Sequence, residues 1–387
     1  MSSLVREDFM STEKPKRGKK VLVGVCGGGF GCQFQWHLDP DCEVGAVADS
    51  DEDRLRRLQE TYQCDTAYRS IDELVADKRL EAVAVFTGAP DHVRHATLAM
   101  KNGKHVVSAV PAAQSVDECS QLLDAVKETG MTYMLAETSY YRSPAVSARE
   151  LVRGGEFGNI FYTEAEYLHP GIESLWFDKK GKRTWRYGRP PMYQGSHCTA
   201  YLICVTGERL SSVSCIGIRG SGAAYTENMY DNPFCNEFAL FRTENGNAFR
   251  VARTWQGAHM HAERAQWFGE KMSFFMESAN GLPSVVVRQA GESGTDDAGF
   301  ALSKPVKEEF VQPEWWQCDA LPEPMRINTG HGGSHVLLTH EFVDALMRDR
   351  TPAIDVEVAT AMASAACVAH ESALKDGRQL TIPEFSL

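Results

Sequence analysis

Apolar and polar positions change rhythm near the middle of this chain. From residue 20 to about 136, short continuous apolar runs alternate with segments whose apolar positions recur at helical spacing. Residues 21–26, 44–48, 82–86, 105–108 and 132–136 form the strand-like runs. Residues 52–62, 71–75, 91–102 and 115–129 carry the helical pattern, with Ser70 as an N-cap and Gly103 and Gly130 as stops. A further helix is expected directly after the glycines that follow residue 26. Strands and helices alternating at this length predict a parallel, doubly wound sheet.

After Ser139 the pattern switches. One helix, 143–153, is followed by long β-prone runs at 160–168, 210–218, 237–243, 248–255 and 272–277, a spacing that suggests a mostly antiparallel sheet. Residues 281–324 are polar and rich in Gly and Pro, hence loops with one hairpin, and helical signals return at 334–347 and 356–374. The expected organisation is a flexible arm (1–18), an α/β Rossmann-type dinucleotide-binding domain (19–138) and an α+β domain with a large open sheet (139–387) for substrate and oligomerisation.

The first strand runs into Gly27-Gly28-Gly29-Phe30-Gly31, and the second ends on Asp49. This order is the fingerprint of a dinucleotide fold. Gly27 permits the tight turn, Gly29 lets the backbone approach a pyrophosphate, and helix N–H groups are expected to face the negative charge. Asp49 can accept from both hydroxyls of an adenosine ribose and would repel a 2′-phosphate, so the expected cofactor is NAD.

Composition narrows the partners. A chain of 387 residues with 43% hydrophobic and 24% charged residues has room for two domains and a sizeable core. A net charge of −12 disfavours nucleic acid and anionic membranes. The one basic cluster, residues 14–20, reads as a solvated arm. Residues 1–13 lack a signal-peptide core, no stretch reaches membrane-span length, and the 11 cysteines show no disulfide spacing. A cytoplasmic protein with reduced thiols is expected.

With these residues in view the chain resembles the Gfo/Idh/MocA family of NAD(P)-dependent sugar oxidoreductases. The resemblance rests on Gly27 to Gly31, on Phe86-Thr87-Gly88-Ala89-Pro90-Asp91-His92 and on Asn102-Gly103-Lys104-His105-Val106-Val107. It implies that Thr87, Ala89, Pro90, His92 and Pro111 join Gly27, Gly29, Phe30, Gly31 and Asp49 around the cofactor. Two departures stand out. The family's Glu-Lys-Pro reads Ala109-Val110-Pro111, so the proton-carrying lysine is Val110, and the Asp that precedes the family's catalytic His is missing from Tyr193-Gln194-Gly195-Ser196-His197. The run Val110-Pro111-Ala112-Ala113 is similar to a subgroup, the NAD-dependent glycoside hydrolases of the α-N-acetylgalactosaminidase type. Glu137, Tyr167-Leu168-His169 and Gly330-His331-Gly332-Gly333 fit that subgroup too.

Without the lysine, His197 is the first candidate base, with Tyr167 and Tyr140 as secondary candidates if their phenol pKa is lowered; His197, Tyr167 and Glu137 are the expected catalytic residues and should converge near the nicotinamide. Tyr140, His169, Trp185, Arg186, Tyr193, His259, Arg264 and His331 are candidate substrate contacts; aromatic rings suit sugar faces. His259 and His261 would share a strand face, a metal half-site at most; substrate contact or plain surface is the favoured reading, and no metal is expected. The expected activity is hydride transfer at a secondary hydroxyl of a carbohydrate or glycoside, in a redox-neutral oxidation–elimination or epimerising cycle with tightly held NAD. An ordinary NAD-dependent sugar or polyol dehydrogenase using His197, and a non-catalytic NAD sensor, are the alternatives. A homo-oligomer, dimer or tetramer, is expected from the open sheet face.

Overall fold

The structure, a computed structural model, describes residues 18–289, 294, 295, 297–300 and 305–387. The expected arm at 1–18, with most of its basic cluster, lies almost entirely outside the described residues. The first half builds β1 (Val21–Cys26), β2 (Cys42–Ala48), α1 (Glu52–Tyr62), β3 (Ala67–Tyr68), α2 (Ile71–Ala76), β4 (Ala82–Val85), α3 (His92–Lys101), β5 (His105–Ser108), α4 (Val116–Thr129) and β6 (Tyr133–Leu135). All six strands pair in parallel in the order β3-β2-β1-β4-β5-β6. The order reverses between β1 and β4, which opens a ligand crevice beyond their carboxyl ends. Asp51, Ser70 and Ser115 cap α1, α2 and α4, each accepting from a backbone N–H in the first turn.

One expectation fails here. No α-helix follows the glycine loop; residues 27–41 make two short 3₁₀ turns, Gly31–Gln33 and Trp36–Leu38. Phe34 and Trp36 turn fully into the core, and Pro40 precedes β2, so the connection folds back too soon for a regular helix. The aligned peptide dipoles expected at a cofactor's phosphates are therefore absent.

The second half adds α5 (Ser143–Arg153), β7 (Ile160–Leu168), α6 (Ser196–Thr206), β8 (Leu210–Arg219), β9 (Phe234–Thr243), β10 (Ala248–Thr254), β11 (Ala262–Gly269), β12 (Met272–Phe275), β13 (Val285–Arg288) and β14 (Val306–Glu309). It ends with α7 (Gly330–Arg348), α8 (Val356–Leu374) and β15 (Leu380–Thr381). The nine strands run β14-β13-β12-β11-β7-β10-β9-β8-β15, antiparallel except for β7 against β10. The Rossmann-fold parallel sheet and the mostly antiparallel second sheet are thus both present. Helices α5, α6 and α8 cover the inner face of the larger sheet, where Tyr201, Trp267, Phe249 and Phe274 are buried.

Alternation along these strands sets the site. Residues of one parity point under α6, and in register across four strands they read Glu237, Arg253, Tyr167 and Glu263, all buried. The other parity points outward, where Arg250 pairs with Glu164, and Arg264 with Glu166. His259 and His261 lie on no strand face; they sit in the connection between β10 and β11.

Candidate active site

A cavity of about 650 Å³ runs along the carboxyl edge of the parallel sheet and reaches under the larger one. Gly27, Gly29, Phe30 and Asp49 line one end; Tyr167, His197, Thr138 and His331 also line it. Gly27 has φ +102°, and a Cβ there would stand 2.2 Å from the carbonyl oxygen of Phe86, so only glycine fits. The N–H groups of Gly27, Gly28 and Gly31 bond to Ala48 O, Asp49 Oδ2 and Gly27 O. Those of Gly29 and Phe30 bond to no described residue, and nothing lies within 4 Å of the Cβ direction of Gly29. Two unengaged N–H donors beside open space suit a pyrophosphate without a helix N-terminus. Asp49 holds the loop through Gly28 at 2.8 Å and caps Asp51 N at 2.9 Å, with acceptor capacity left for a ribose. These residues fit NAD.

The loop after β4 is fixed by His92, whose nitrogens contact the carbonyl oxygens of Pro111 (2.9 Å) and Thr87 (3.1 Å). Thr87 and His92 line the cavity, as do Ala109 and Val110, while Pro111 acts from behind through its carbonyl. Three expected cofactor contacts fall elsewhere. Pro90 faces a separate surface cleft with Val93 and Arg94; Ala89 is buried in a 3₁₀ turn behind Gly88; Gly31 packs against Val25 and Phe86. Trp185 lies directly on Gly88, and Arg186 stacks on the Trp185 ring at 4.0 Å, so the segment around them roofs the cavity.

At the far end His197, in the first turn of α6, directs Nδ1 to Glu137 Oε1 at 2.7 Å. Ser139 Oγ lies 3.1 Å from the same nitrogen and donates to Glu263 Oε1 at 2.7 Å. Arg142 closes the chain, 2.9 Å from Glu263 Oε2. Nε2 of His197 makes no hydrogen bond to any described residue and is the nitrogen left to the cavity. Burial alone would lower the His197 pKa, but the charge and hydrogen bond of Glu137 outweigh it and hold the imidazole above its ordinary 6.5. Glu137 is held below the ordinary carboxylate value: burial opposes this, and His197 and the Ser139 N–H overcome it. Burial likewise opposes ionisation of Glu263, yet Arg142, His197 and Ser139 bring it to about 2.

Tyr167 stands next to His197, ring centroids 5.0 Å apart, with Arg253 stacked on it at 4.2 Å. Burial raises its phenol well above 10, against the lowered pKa that a base role for it would need. His331 has a left-handed backbone, φ 55°, just before the regular turns of α7, and burial keeps its imidazole below the ordinary value. His169 and Arg186 line a second, adjoining cavity.

Four expected contacts are not on the cavity walls. Tyr140 is packed beneath the Arg149 guanidinium at 4.0 Å, and burial raises its phenol to about 12. Tyr193 turns toward Tyr230 and His370, leaving Gln194 to face the cavity. His259 bonds to Thr254 Oγ1 at 3.0 Å, and Arg264 is on the outer sheet face with Glu166. Sequence reasoning missed Ser139, Gln194, Thr138 and Glu263. Counting back by twos from Trp267 and Ala265 puts Glu263, not Arg264, on the buried face. Among the described residues no group of His, Cys, Asp and Glu forms a metal site, and no helix is long and apolar enough to cross a membrane.

Residues 21–137 match the Gfo/Idh/MocA oxidoreductase family, NAD-binding Rossmann fold, and form such a domain. The chain is similar to a glycosyl hydrolase family 109 protein of Solibacter usitatus, 23% identical over 328 residues, 82% of this chain and 74% of that one. It is also similar to a family 109 protein of Streptomyces coelicolor, 22% identical over 394 residues (95% and 82% of the two chains). A 1-carboxy-3-chloro-3,4-dihydroxycyclohexa-1,5-diene dehydrogenase of Comamonas testosteroni is 23% identical over 314 residues (79% and 73%). Among solved structures, an oxidoreductase domain protein from Kribbella flavida superposes with TM-score 0.72 at 20% identity, covering 95% of this chain and 100% of that one. Levoglucosan dehydrogenase in complex with NADH gives 0.72 at 18% identity with the same coverage. These neighbours share the fold.

Two predictions follow from the geometry. In an NMR titration of imidazole carbons, His197 should titrate above 6.5, and Glu137→Gln should lower its pKa, because the main influence opposing burial is then gone and the Glu263 charge alone remains against it among the neighbouring acids. An unmoved titration would contradict the pairing. Asp49→Ala frees the Gly28 N–H and removes the ribose acceptor, so the NAD Kd measured by calorimetry should rise about ten- to a hundredfold. An unchanged Kd would contradict the assignment.

Proposed function

We propose that this NAD-binding oxidoreductase-family protein acts on a carbohydrate or glycoside, with His197 as the base that takes the proton of a secondary hydroxyl. The observation that carries this reading is the His197–Glu137 pair, whose free Nε2 faces the cavity that also holds the glycine loop. Bound NAD supplies the acceptor of the hydride from the carbon and, in the reverse sense, its donor. Val110 stands where the family resemblance puts the lysine, so His197 replaces it. Glu137 fixes the Nδ1–H tautomer and stabilises the imidazolium that forms, the role of an acid behind a catalytic histidine. Tyr167, kept protonated, donates to a substrate oxygen beside His197.

The finer reading is a redox-neutral cycle. A ketone at one ring carbon acidifies the neighbouring C–H; a base takes that proton as the glycosidic C–O bond one carbon further on breaks and the aglycone leaves. Water then adds across the resulting double bond, and return of the hydride to the ketone carbon gives the free sugar. His331, held neutral by burial and lining the same cavity, is the second base for that proton. The roof of Trp185 and Arg186 favours a cofactor that stays in place between turnovers, which such a cycle requires. Exposed Ile216 (63%), Leu240 (55%) and Phe238 (41%) on the outer sheet face support a homo-oligomer.

NAD-loaded protein challenged with neutral and acidic glycosides should give free sugar and aglycone with only a transient band at about 340 nm. Stoichiometric NADH with a keto product would make it a dehydrogenase instead. His197→Ala should lower turnover by about 10²–10⁴ with NAD affinity retained; near-normal turnover would remove His197 from the chemistry. By light scattering, the wild type should be a dimer or larger and Leu240→Glu a single chain; a monomeric wild type would refute the interface.

A further inference from the structure

Beside the catalytic groups lies a second cavity of about 350 Å³, which shares Phe30, Gln33, Leu175, Arg186 and Gln194 with the first. Its walls carry Arg186, Arg189 and His169 and no carboxylate. That is unexpected in a chain with 52 acidic and 40 basic residues. Arg189 is 4% exposed. Its Nη2 donates to Tyr193 O at 2.7 Å, its Nε is buried without a partner, and no described Asp or Glu pairs with it. Burial, then the nearby charges of Arg186 and Arg253, draw its pKa down to about 9, the mark of a cation lacking its counter-charge. Arg186 is half-buried on Trp185, again with no acid against it. The Nδ1 atom of His169 is also buried and unpartnered. A buried guanidinium without an anion is costly, and an oxyanion that can accept two of its N–H groups is its natural complement.

The cavity is continuous with the chemistry. Ring centroids step from His197 to Tyr167 (5.0 Å), from Tyr167 to His169 (5.6 Å) and from His169 to Trp255 (6.1 Å), which lines the second cavity. A sugar ring presenting a hydroxyl to His197 would extend its substituents along this row. We propose that the second cavity is a subsite for an oxyanion carried by the substrate, with Arg189 and Arg186 as its counter-charges and His169 as a further donor. The substrate is then an acidic carbohydrate bearing a carboxylate, sulfate or phosphate. This rests on the carbohydrate reading above and narrows it.

Calorimetry on NAD-loaded protein tests the proposal with matched methyl glycosides: a neutral hexose, its hexuronate, its 6-sulfate and its 6-phosphate. At least one anionic member should bind about ten- to a hundredfold tighter than the neutral parent, with an advantage that shrinks as salt rises; the member that wins identifies the oxyanion. Arg189→Met, close in volume, should bring the anionic-to-neutral ratio near one. Should that variant not fold, Arg186→Gln on the half-buried side is read the same way. A neutral parent that binds as well as every anionic member overturns the subsite while leaving the carbohydrate reading intact. No binding by any sugar overturns both. Loss of NAD affinity in Arg189→Met with sugar discrimination unchanged also overturns it, because the charge would then serve the cofactor's phosphates.

Discussion

The site depends on one buried contact, the 2.7 Å hydrogen bond between Glu137 and His197. Glu137 stands just past β6 of the parallel sheet and His197 opens α6 over the larger one, so this bond links the two sheets at the cavity. Both groups are almost completely out of water, at 0% and 5% exposed. In that setting the Glu137 charge is held by the Nδ1–H of His197 and the Ser139 N–H, and it stabilises the imidazolium when Nε2 takes up a proton. Positioning and chemistry therefore share one interaction: the bond that orients the ring also sets its proton affinity and leaves Nε2 toward the cavity.

Around this bond the larger sheet supplies a graded electrostatic floor. Its register aligns Glu237, Arg253, Tyr167 and Glu263 across four strands beneath α6. Glu237 is satisfied by His370 at 2.7 Å and by Met192 N, and Glu263 by Arg142 and Ser139. Tyr167 sits between these anchored charges, with Arg253 against its ring. Beyond them, toward Arg189, the balance turns positive and nothing in the described chain answers it. The polarity of the site thus runs from a paired acid–imidazole centre to an open cationic pocket, a gradient that a substrate with an acidic end would match.

Much of the fold was legible because its elements follow one rule at a time. The parallel strands are uniformly apolar, the helices between them carry caps and glycine stops, and the later strands alternate. What escaped obeys two rules at once. Helix α6 is apolar on nearly every side and buried all round, so it shows no helical period. Strand β11 carries Glu263 on its buried face, which breaks the alternation that would have marked it. The glycine loop met the fingerprint for a following helix, yet Phe34, Trp36 and Pro40 turned the chain inward. At the site, sequence pointed to Glu137, Tyr167, His197 and His331, which the fold does bring together. Their immediate partners Ser139 and Glu263, and Arg189, were invisible because only tertiary packing shows which polar groups are buried and which lack a partner.

The most direct test of this account is a crystal structure of the NAD-loaded protein with a bound glycoside. The account predicts one secondary hydroxyl oxygen within about 2.6–3.2 Å of His197 Nε2, with Nδ1 still on Glu137 and the sugar lying along Tyr167 and His169. A substrate hydroxyl held by another group, with Nε2 of His197 turned to protein or solvent, would contradict it.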